Sequence, residues 1–167
     1  LMGNPRPVSV YGATFQKLFD RKNIKLFGGY ASEGRSDQDI CDVEDLAAAM
    51  IRFDNGAVLH IEASFSLNIK QDTGTIDLFG TKGGASLSPE LELYTERNGY
   101  LIDIGLAHPT ALDFNGLFDN EIAHFIDCIQ TGGACRAPAK DGVTIMRILD
   151  AVYESARTGH EVILQEG

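Results

Sequence analysis

A hairpin signal near the middle of the chain most constrains how this sequence can fold. Two runs of β-forming residues flank Asn55-Gly56 in the segment DLAAAMIRFDNGAVLHIEASFSL. Asn-Gly is the dipeptide best suited to the positive φ angles of a tight two-residue turn. A turn centred there predicts that Phe53 pairs with Val58 and that Ile51 pairs with His60.

This register sorts the hairpin side chains onto two faces, because side chains alternate along a strand. One face is predicted to be core, and it comprises Leu46, Ala48, Met50, Ile61, Ala63 and Phe65. The other face is mixed, and it comprises Ala49, Ile51, Phe53 and Val58 together with His60 and Glu62. A mixed sheet face of this kind often packs against another protein surface.

The remaining chain predicts strands first and helices last. VSVYGATF predicts an early strand, and TIDLFG, TKGGASLS, LELYTE and YLIDIGL predict a meander with a turn at Asn98-Gly99. A first helix carries an apolar stripe that ends at Gly132-Gly133, and the stripe comprises Phe118, Ile122, Phe125, Ile126 and Ile129. A second helix is predicted from an N-cap at Asp141 to a stop at Gly159. Its predicted apolar face comprises Ile145, Met146, Leu149, Val152, Tyr153 and Ala156.

This order of elements predicts an α+β fold, with an open, mainly antiparallel sheet and helices packed on one face. A length of 167 residues suits one domain with a single core. The formal charge of -10 argues against nucleic acid and anionic membranes as partners, since both would repel the chain. Three cysteines at irregular spacing favour neither a disulfide framework nor a zinc knuckle, so we expect a reducing cytoplasm.

Several residue groups are candidates for a chemical site, but for most of them a purely structural role is favoured. GTKGGAS lacks the spacing of a nucleotide loop and predicts a hairpin turn. His60 and Glu62 could share a metal, but no third ligand is placed beside them by sequence. Glu121, His124 and Cys128 form a second possible ligand group on a helix, for which a polar helix face is the favoured interpretation. His108 lies in a loop where it could meet a ligand.

A polar segment between two predicted strands is the remaining candidate. FSLNIKQDTGT concentrates Asn68, Lys70, Gln71 and Asp72 within five residues. These side chains could hydrogen-bond a hydroxylated ligand, or the segment could simply be a solvated loop. The residues alone predict no catalytic apparatus.

The order of the motifs resembles the carboxy-terminal domain of one oxidoreductase family. The quoted segments are VEDLAAAMIRFDNGAVLHIEASF, IDLFGTKGGASL, FDNEIAHFIDCIQTGG and ILDAVYESARTGHEVIL. In combination they resemble the glucose-fructose oxidoreductase / inositol dehydrogenase / rhizopine catabolism (Gfo/Idh/MocA) family over nearly the whole chain.

The resemblance implies that residues 1–167 form the substrate-side, oligomer-forming domain of a longer NAD- or NADP-dependent enzyme. LMGNPRP resembles the turn that follows the family's Rossmann domain, which carries the dinucleotide loop and the catalytic lysine and histidine. We therefore expect no catalytic, cofactor-binding or metal-ligating residue in this chain, and no cofactor bound by it alone. The alternative is a stand-alone ligand-binding or assembly module.

The resemblance also implies a substrate class and a substrate-binding segment. The substrate would be a sugar, polyol or related hydroxylated small molecule, and Asn68, Lys70, Gln71 and Asp72 would border it. No tyrosine occurs in this segment, which departs from the aromatic pattern of inositol dehydrogenases. A homo-oligomer through the open sheet face is the expected partner, and neither nucleic acid nor a membrane is expected.

Overall fold

The computed structural model describes residues 3–18, 42–70, 73–87, 90–106 and 114–165. The strands of these residues are β1 (Pro7–Phe15), β2 (Leu46–Phe53), β3 (Val58–Ser64), β4 (Asp77–Gly80), β5 (Gly83–Ser86), β6 (Glu92–Arg97), β7 (Tyr100–Ile104) and β8 (Val162–Ile163). The helices are α1 (Phe114–Thr131) and α2 (Ala139–Thr158). The chain divides into two compact units, Leu1–Asn68 with Ala137–Gly167, and Ile69–Arg136.

Among the described residues, each unit contains one antiparallel sheet and one helix. The first unit has the strand order β3-β2-β1-β8, and α2 packs on β1 and β8. The second unit is the meander β4-β5-β6-β7 and includes α1. The predicted α+β class is confirmed, and the antiparallel strands form two four-stranded sheets. No helix within the described ranges is long and apolar enough to cross a membrane.

The hairpin of β2 and β3 forms as predicted, but its register is wrong by one residue. Ile51 pairs with Leu59 rather than with His60. The loop has three residues, because the Phe53 N–H donates to the Ala57 carbonyl at 2.9 Å. Gly56 has a φ of +83°, whereas Asn55 keeps a negative φ, so the turn is not the two-residue form. Each β3 side chain therefore lies on the opposite sheet face from the β2 side chain with which it was predicted to pair.

The physical reason for the three-residue loop is a set of contacts that involve its first residues. The Asp54 N–H donates to the Arg6 carbonyl at 3.0 Å, and the Arg6 N–H donates to Asp54 Oδ1 at 3.1 Å. The Asn55 side chain accepts the Ala57 N–H at 3.0 Å. These bonds tie the loop to the segment before β1, and they give the backbone N–H groups of Arg6, Asp54 and Ala57 hydrogen-bond partners.

The face that α2 covers differs from the prediction on β2 but not on β3. Ile51 is 0% exposed and Ala49 is buried beneath α2, whereas Met50 is 49% exposed. Of the predicted core face, Ala48 and Met50 therefore lie on the uncovered side, whereas Ile61 packs against the core as predicted. Ile51 and Phe53 do not lie on the outside. We call the uncovered surface of this sheet the open face, and its exposed side chains are Tyr11, Phe15, Met50, Arg52, Val58, His60, Glu62, Ser64 and Ile163.

The core of the first unit lies between α2 and the covered sheet face. Its buried side chains are Val10, Ala49, Ile51, Ala151 and Val152, and its partly buried neighbours are Phe53, Ile61, Ile148, Val162 and Leu164. The predicted apolar face of α2 is correct at Val152 but wrong at four positions that are exposed: Ile145, Met146, Leu149 and Tyr153. Small side chains form the contact instead, because the helix lies very close to the sheet.

Gly12 on β1 permits this close approach. A Cβ atom at Gly12 would lie 2.9 Å from Val152 Cγ1 and 3.2 Å from Val152 Cα. Both distances are shorter than ordinary van der Waals contact, so any larger residue would push α2 away from the sheet.

A buried hydroxyl group locks the helix to the strand at the same place. Ser155 is 0% exposed. Its Oγ accepts the Gly12 N–H at 2.9 Å and donates to the His160 carbonyl at 2.7 Å. β8 pairs only with Ser9 and Val10, so the Gly12 N–H lies beyond the end of that strand. Ser155 supplies the partner that a longer strand would otherwise have provided.

Helix ends and turns follow the sequence signals closely. Gly159 adopts a left-handed conformation, and its N–H donates to the Ser155 carbonyl, which ends α2 as predicted. The N-cap prediction is wrong, since Pro138 occupies that position and Asp141 lies inside the first turn. α1 ends before Gly132 as predicted. Its apolar stripe is largely exposed in the described structure, with Phe118, Phe125 and Ile129 among the exposed side chains.

The buried serine yields a stability prediction. We expect Ser155→Ala to lower the free energy of unfolding of the first unit by about 1–3 kcal/mol, because the Gly12 N–H and the His160 carbonyl lose their buried partner. Thr144→Ala is the matched control, since its hydroxyl donates to the Lys140 carbonyl in a solvent-exposed hydrogen bond. Urea unfolding followed by circular dichroism measures both. Equal midpoints for the two variants would contradict this account.

Candidate functional site

The polar segment predicted to contact substrate lies where the chain passes from one unit to the other. Asn68 is the last residue of the first unit, and Lys70 belongs to the second. Both side chains are exposed. Gln71 and Asp72 lie outside the described residues. Exposed amide and ammonium groups are suited to hydrogen-bonding a hydroxylated ligand.

Three other sequence candidates have clear structural outcomes. GTKGGAS forms the hairpin between β4 and β5, in which Gly80 pairs with Gly83, and no helix follows it. This confirms the predicted turn. His60 and Glu62 are exposed side chains on β3, and no described group of three ligands includes them. His108 lies outside the described residues.

A shallow groove runs along the first unit between α2 and β8. Its polar lining residues are Arg147, Asp150, Glu154 and Gln165, and its apolar lining residues are Ala151, Val162, Ile163 and Leu164. Charges of both signs therefore surround an apolar floor. No serine, cysteine or histidine lines this groove, so it contains none of the usual nucleophiles.

The helix residues weighed as ligands do come together, with one addition. The ligand atoms of His124, Cys128 and Cys135 all lie within 4.8 Å of one another. Glu121 is not in this group, and Cys135 is a member that sequence reasoning missed. Burial raises the pKa of the Cys128 thiol above its ordinary value, and the nearby Cys135 and Asp127 act in the same direction. The charge of Arg136 acts in the opposite direction and is the smallest of these effects, so the thiol form is favoured.

The VED motif at the start of β2 is structural. Asp45 is buried, and its carboxylate accepts the backbone N–H groups of Lys17 and Leu18 at 2.6 and 2.5 Å. The Asp45 carbonyl accepts the Ser64 hydroxyl at 2.6 Å. One side chain thereby fastens the segment after β1, and its backbone fastens the end of β3.

The residue before this aspartate connects the same motif to α2. The Tyr153 hydroxyl donates to Glu44 Oε2 at 2.7 Å. This hydrogen bond raises the pKa of Tyr153, with smaller contributions from burial and from the Glu44 charge. Together with Ser155, these contacts mean that Glu44 at the start of the VEDLAAAMIRFDNGAVLHIEASF segment and the end of α2 hold the helix on the sheet.

These features describe an α+β domain with an exposed polar segment and an open sheet face. The chain belongs to the oxidoreductase family defined by the GFO_IDH_MocA_C model, the "C-terminal alpha/beta domain", which matches residues 1–164. The resemblance read from the motifs is therefore confirmed.

Two similar proteins are sugar dehydrogenases by name. The chain is 34% identical over 165 residues to D-glucoside 3-dehydrogenase of Escherichia coli (strain K12), which covers 98% of this chain and 44% of that protein. It is 32% identical over 136 residues to levoglucosan dehydrogenase of Pseudarthrobacter phenanthrenivorans, covering 69% and 35% of the two chains. The chain thus spans less than half the length of these relatives.

Solved structures share the fold at low sequence identity. An oxidoreductase domain protein from Kribbella flavida superposes with a TM-score of 0.75 and 19% identity, over 97% of this chain and 45% of that one. Levoglucosan dehydrogenase in complex with NADH and levoglucosan superposes with a TM-score of 0.69 and 22% identity, over 96% and 46%.

Proposed function

We propose that this chain is the substrate-side domain of an NAD- or NADP-dependent oxidoreductase that acts on a sugar, a glycoside or a polyol. The observation that carries the proposal is the alignment of 98% of the chain with a D-glucoside 3-dehydrogenase. A further relative is D-xylose 1-dehydrogenase (NADP(+)) 2 of Haloferax volcanii, 27% identical over 127 residues. Each of these names specifies oxidation of a carbohydrate hydroxyl-bearing carbon.

In this proposal the work is divided between two parts of one enzyme. A Rossmann domain binds the nicotinamide and supplies the proton-transferring lysine and histidine, as the family resemblance implies. When bound, the nicotinamide accepts or returns the hydride of the substrate carbon. The present chain binds and orients the hydroxyl groups on the other side of the substrate. The cytoplasm is the proposed compartment, in keeping with the cysteine pattern.

The substrate contacts are proposed to come from Asn68, Lys70, Gln71 and Asp72. The support is that both side chains are exposed and that Lys70 forms no salt bridge with another described residue. Amide, ammonium and carboxylate groups together offer donors and acceptors, which is what recognition of a polyhydroxylated ligand requires.

The open face is proposed to bury itself against a second copy of the chain. Five apolar or aromatic side chains are exposed on one side of a sheet whose other side is covered by α2: Tyr11, Phe15, Met50, Val58 and Ile163. Arg52, His60 and Glu62 are exposed on the same face, so the surface is mixed. Exposed apolar side chains grouped on one sheet face mark an interface, and a two-fold axis would pair the face with itself.

The first test separates cofactor binding from this chain. The 167-residue chain is expected to cause no saturable change in NADH fluorescence. Protein expressed from the complete reading frame that contains it is expected to bind NADH and to reduce NAD⁺ or NADP⁺ with D-glucosides, D-xylose or levoglucosan. Saturable NADH binding by the 167 residues, or a complete protein that oxidises no sugar or polyol, would refute the proposal.

The second test addresses the polar segment. In the complete protein, Lys70→Met is expected to raise KM for the sugar by about 10-fold, because a charged hydrogen bond to substrate is lost. The KM for the nicotinamide should stay unchanged. Lys140→Met is the matched control, since it also removes an exposed lysine but lies in the first turn of α2. Equal sugar KM values in both variants would exclude Lys70 from the site.

The third test addresses the open face. Met50→Glu is expected to reduce the oligomer to smaller species in light scattering after size-exclusion chromatography, because the interface would bury an unpaired carboxylate. Val143→Glu is the control, since it places the same charge on an exposed apolar position of α2. An unchanged mass for Met50→Glu would place the interface elsewhere.

A further inference from the structure

The strongest unassigned chemistry in the described residues is the group formed by His124, Cys128 and Cys135, which we call the His-Cys cluster. It lies in the second unit, at the end of α1 and in the turn that follows. His124 and Cys128 are partly buried and Cys135 is exposed. The group is therefore open to solvent on one side and enclosed on the other.

The chain brings these three side chains together by local geometry. His124 and Cys128 are four residues apart on α1, so they lie on one face of the helix. Gly132 then adopts a φ of +67°, and its N–H donates to the Cys128 carbonyl at 3.0 Å. This reversal carries the next residues back along the helix, until the Arg136 N–H donates to His124 Nε2 at 3.0 Å.

The ligand atoms lie near enough for a tetrahedral ion without rearrangement of the helix, once the His124 ring rotates to point the lone pair of one nitrogen at the ion. That rotation is needed because Cys128 Sγ is almost equidistant from the two ring nitrogens. Zinc binds sulfur at about 2.3 Å and imidazole nitrogen at about 2.0–2.1 Å, so two ligand atoms in a tetrahedron are roughly 3.5–3.8 Å apart. Cys128 Sγ lies 3.6 Å from His124 Nε2 and 3.8 Å from His124 Nδ1. Because all three ligand atoms lie within 4.8 Å of one another, Cys135 Sγ needs to move by only about 1 Å to reach the tetrahedral spacing.

We propose that the His-Cys cluster is a binding site for a soft divalent metal ion, Zn²⁺, with three protein ligands and a fourth position open to solvent. Two thiolates and one imidazole form a ligand set that prefers zinc to hard ions such as Mg²⁺ or Ca²⁺. Each thiol releases its proton to solvent as its sulfur binds the metal, and the histidine binds through a neutral nitrogen. The site shares no residue with the proposed substrate segment, and its test does not depend on the enzyme's activity.

The hydrogen bond from Arg136 gives the proposal a specific signature. A metal on Nε2 would displace the Arg136 amide, and a metal on Nδ1 would put a proton on Nε2 that faces the same amide. In either case the Arg136 N–H loses its acceptor. Addition of Zn²⁺ should therefore shift the Arg136 amide resonance and speed its hydrogen exchange.

The deciding experiment is a Zn²⁺ titration of the 167-residue chain under reducing conditions, in competition with a chromophoric chelator. One Zn²⁺ per chain is expected, and Co²⁺ in its place should show the absorption of a tetrahedral thiolate complex. Cys135→Ser should weaken Zn²⁺ binding on the order of 100-fold, because one of three ligands is lost. Cys41→Ser removes the one cysteine that is outside the cluster, and it should leave the Zn²⁺ affinity unchanged.

A second pair of variants guards against effects of folding. His124→Gln should weaken Zn²⁺ binding as Cys135→Ser does, whereas His60→Gln, on the open face, should not. Circular dichroism compares the fold of each variant with the parent. The proposal is overturned if the reduced chain takes up no Zn²⁺, or if Cys135→Ser binds it as tightly as Cys41→Ser. A disulfide between Cys128 and Cys135 that forms in air, without Zn²⁺ uptake by the reduced chain, would make the pair a redox couple instead.

Discussion

One buried hydroxyl group holds the first unit together. Ser155 lies between the helix and the sheet, and it satisfies both the Gly12 N–H and the His160 carbonyl. The bare backbone of Gly12 is what lets the helix come this close. The helix covers the sheet face that carries Val10, Ala49 and Ile51, and the opposite face keeps exposed side chains that are both apolar and charged. The position of the open face is thus a consequence of this one contact.

The sequence predicted the elements well because their signals are local. Period-two runs and Gly-containing turns found the described strands, and Gly132 and Gly159 end the helices where expected. The prediction of the hairpin register was wrong because the dipeptide Asn-Gly occurs in two different turn geometries in this chain. Asn98 and Gly99 both have positive φ angles, and they join β6 to β7 in a two-residue turn. In Asn55-Gly56 only Gly56 has a positive φ angle. The difference arises from Arg6, which is 48 residues away from Asp54 and outside any local pattern.

The candidate sites were predictable to different degrees, again for physical reasons. The spacing of His124 and Cys128 on one helix face could be read from periodicity, but Cys135 could not, because its position depends on the reversal at Gly132. The signal that could have found it is a glycine turn placed between two cysteines. The contact face of α2 was misjudged because hydropathy favours large side chains, whereas the close approach at Gly12 favours Ala151 and Ser155.

The distance along the chain between Gly12 and Ser155 has a consequence for the order of folding. These two residues are separated by 143 positions, so the first unit is assembled from the two ends of the chain. Contacts of such high sequence separation form slowly, since a long loop must close before they are made. On the ribosome, β1, β2 and β3 would emerge long before α2 covers them. The meander of the second unit, whose partners are neighbours in sequence, can form first and shorten the distance that remains to be closed.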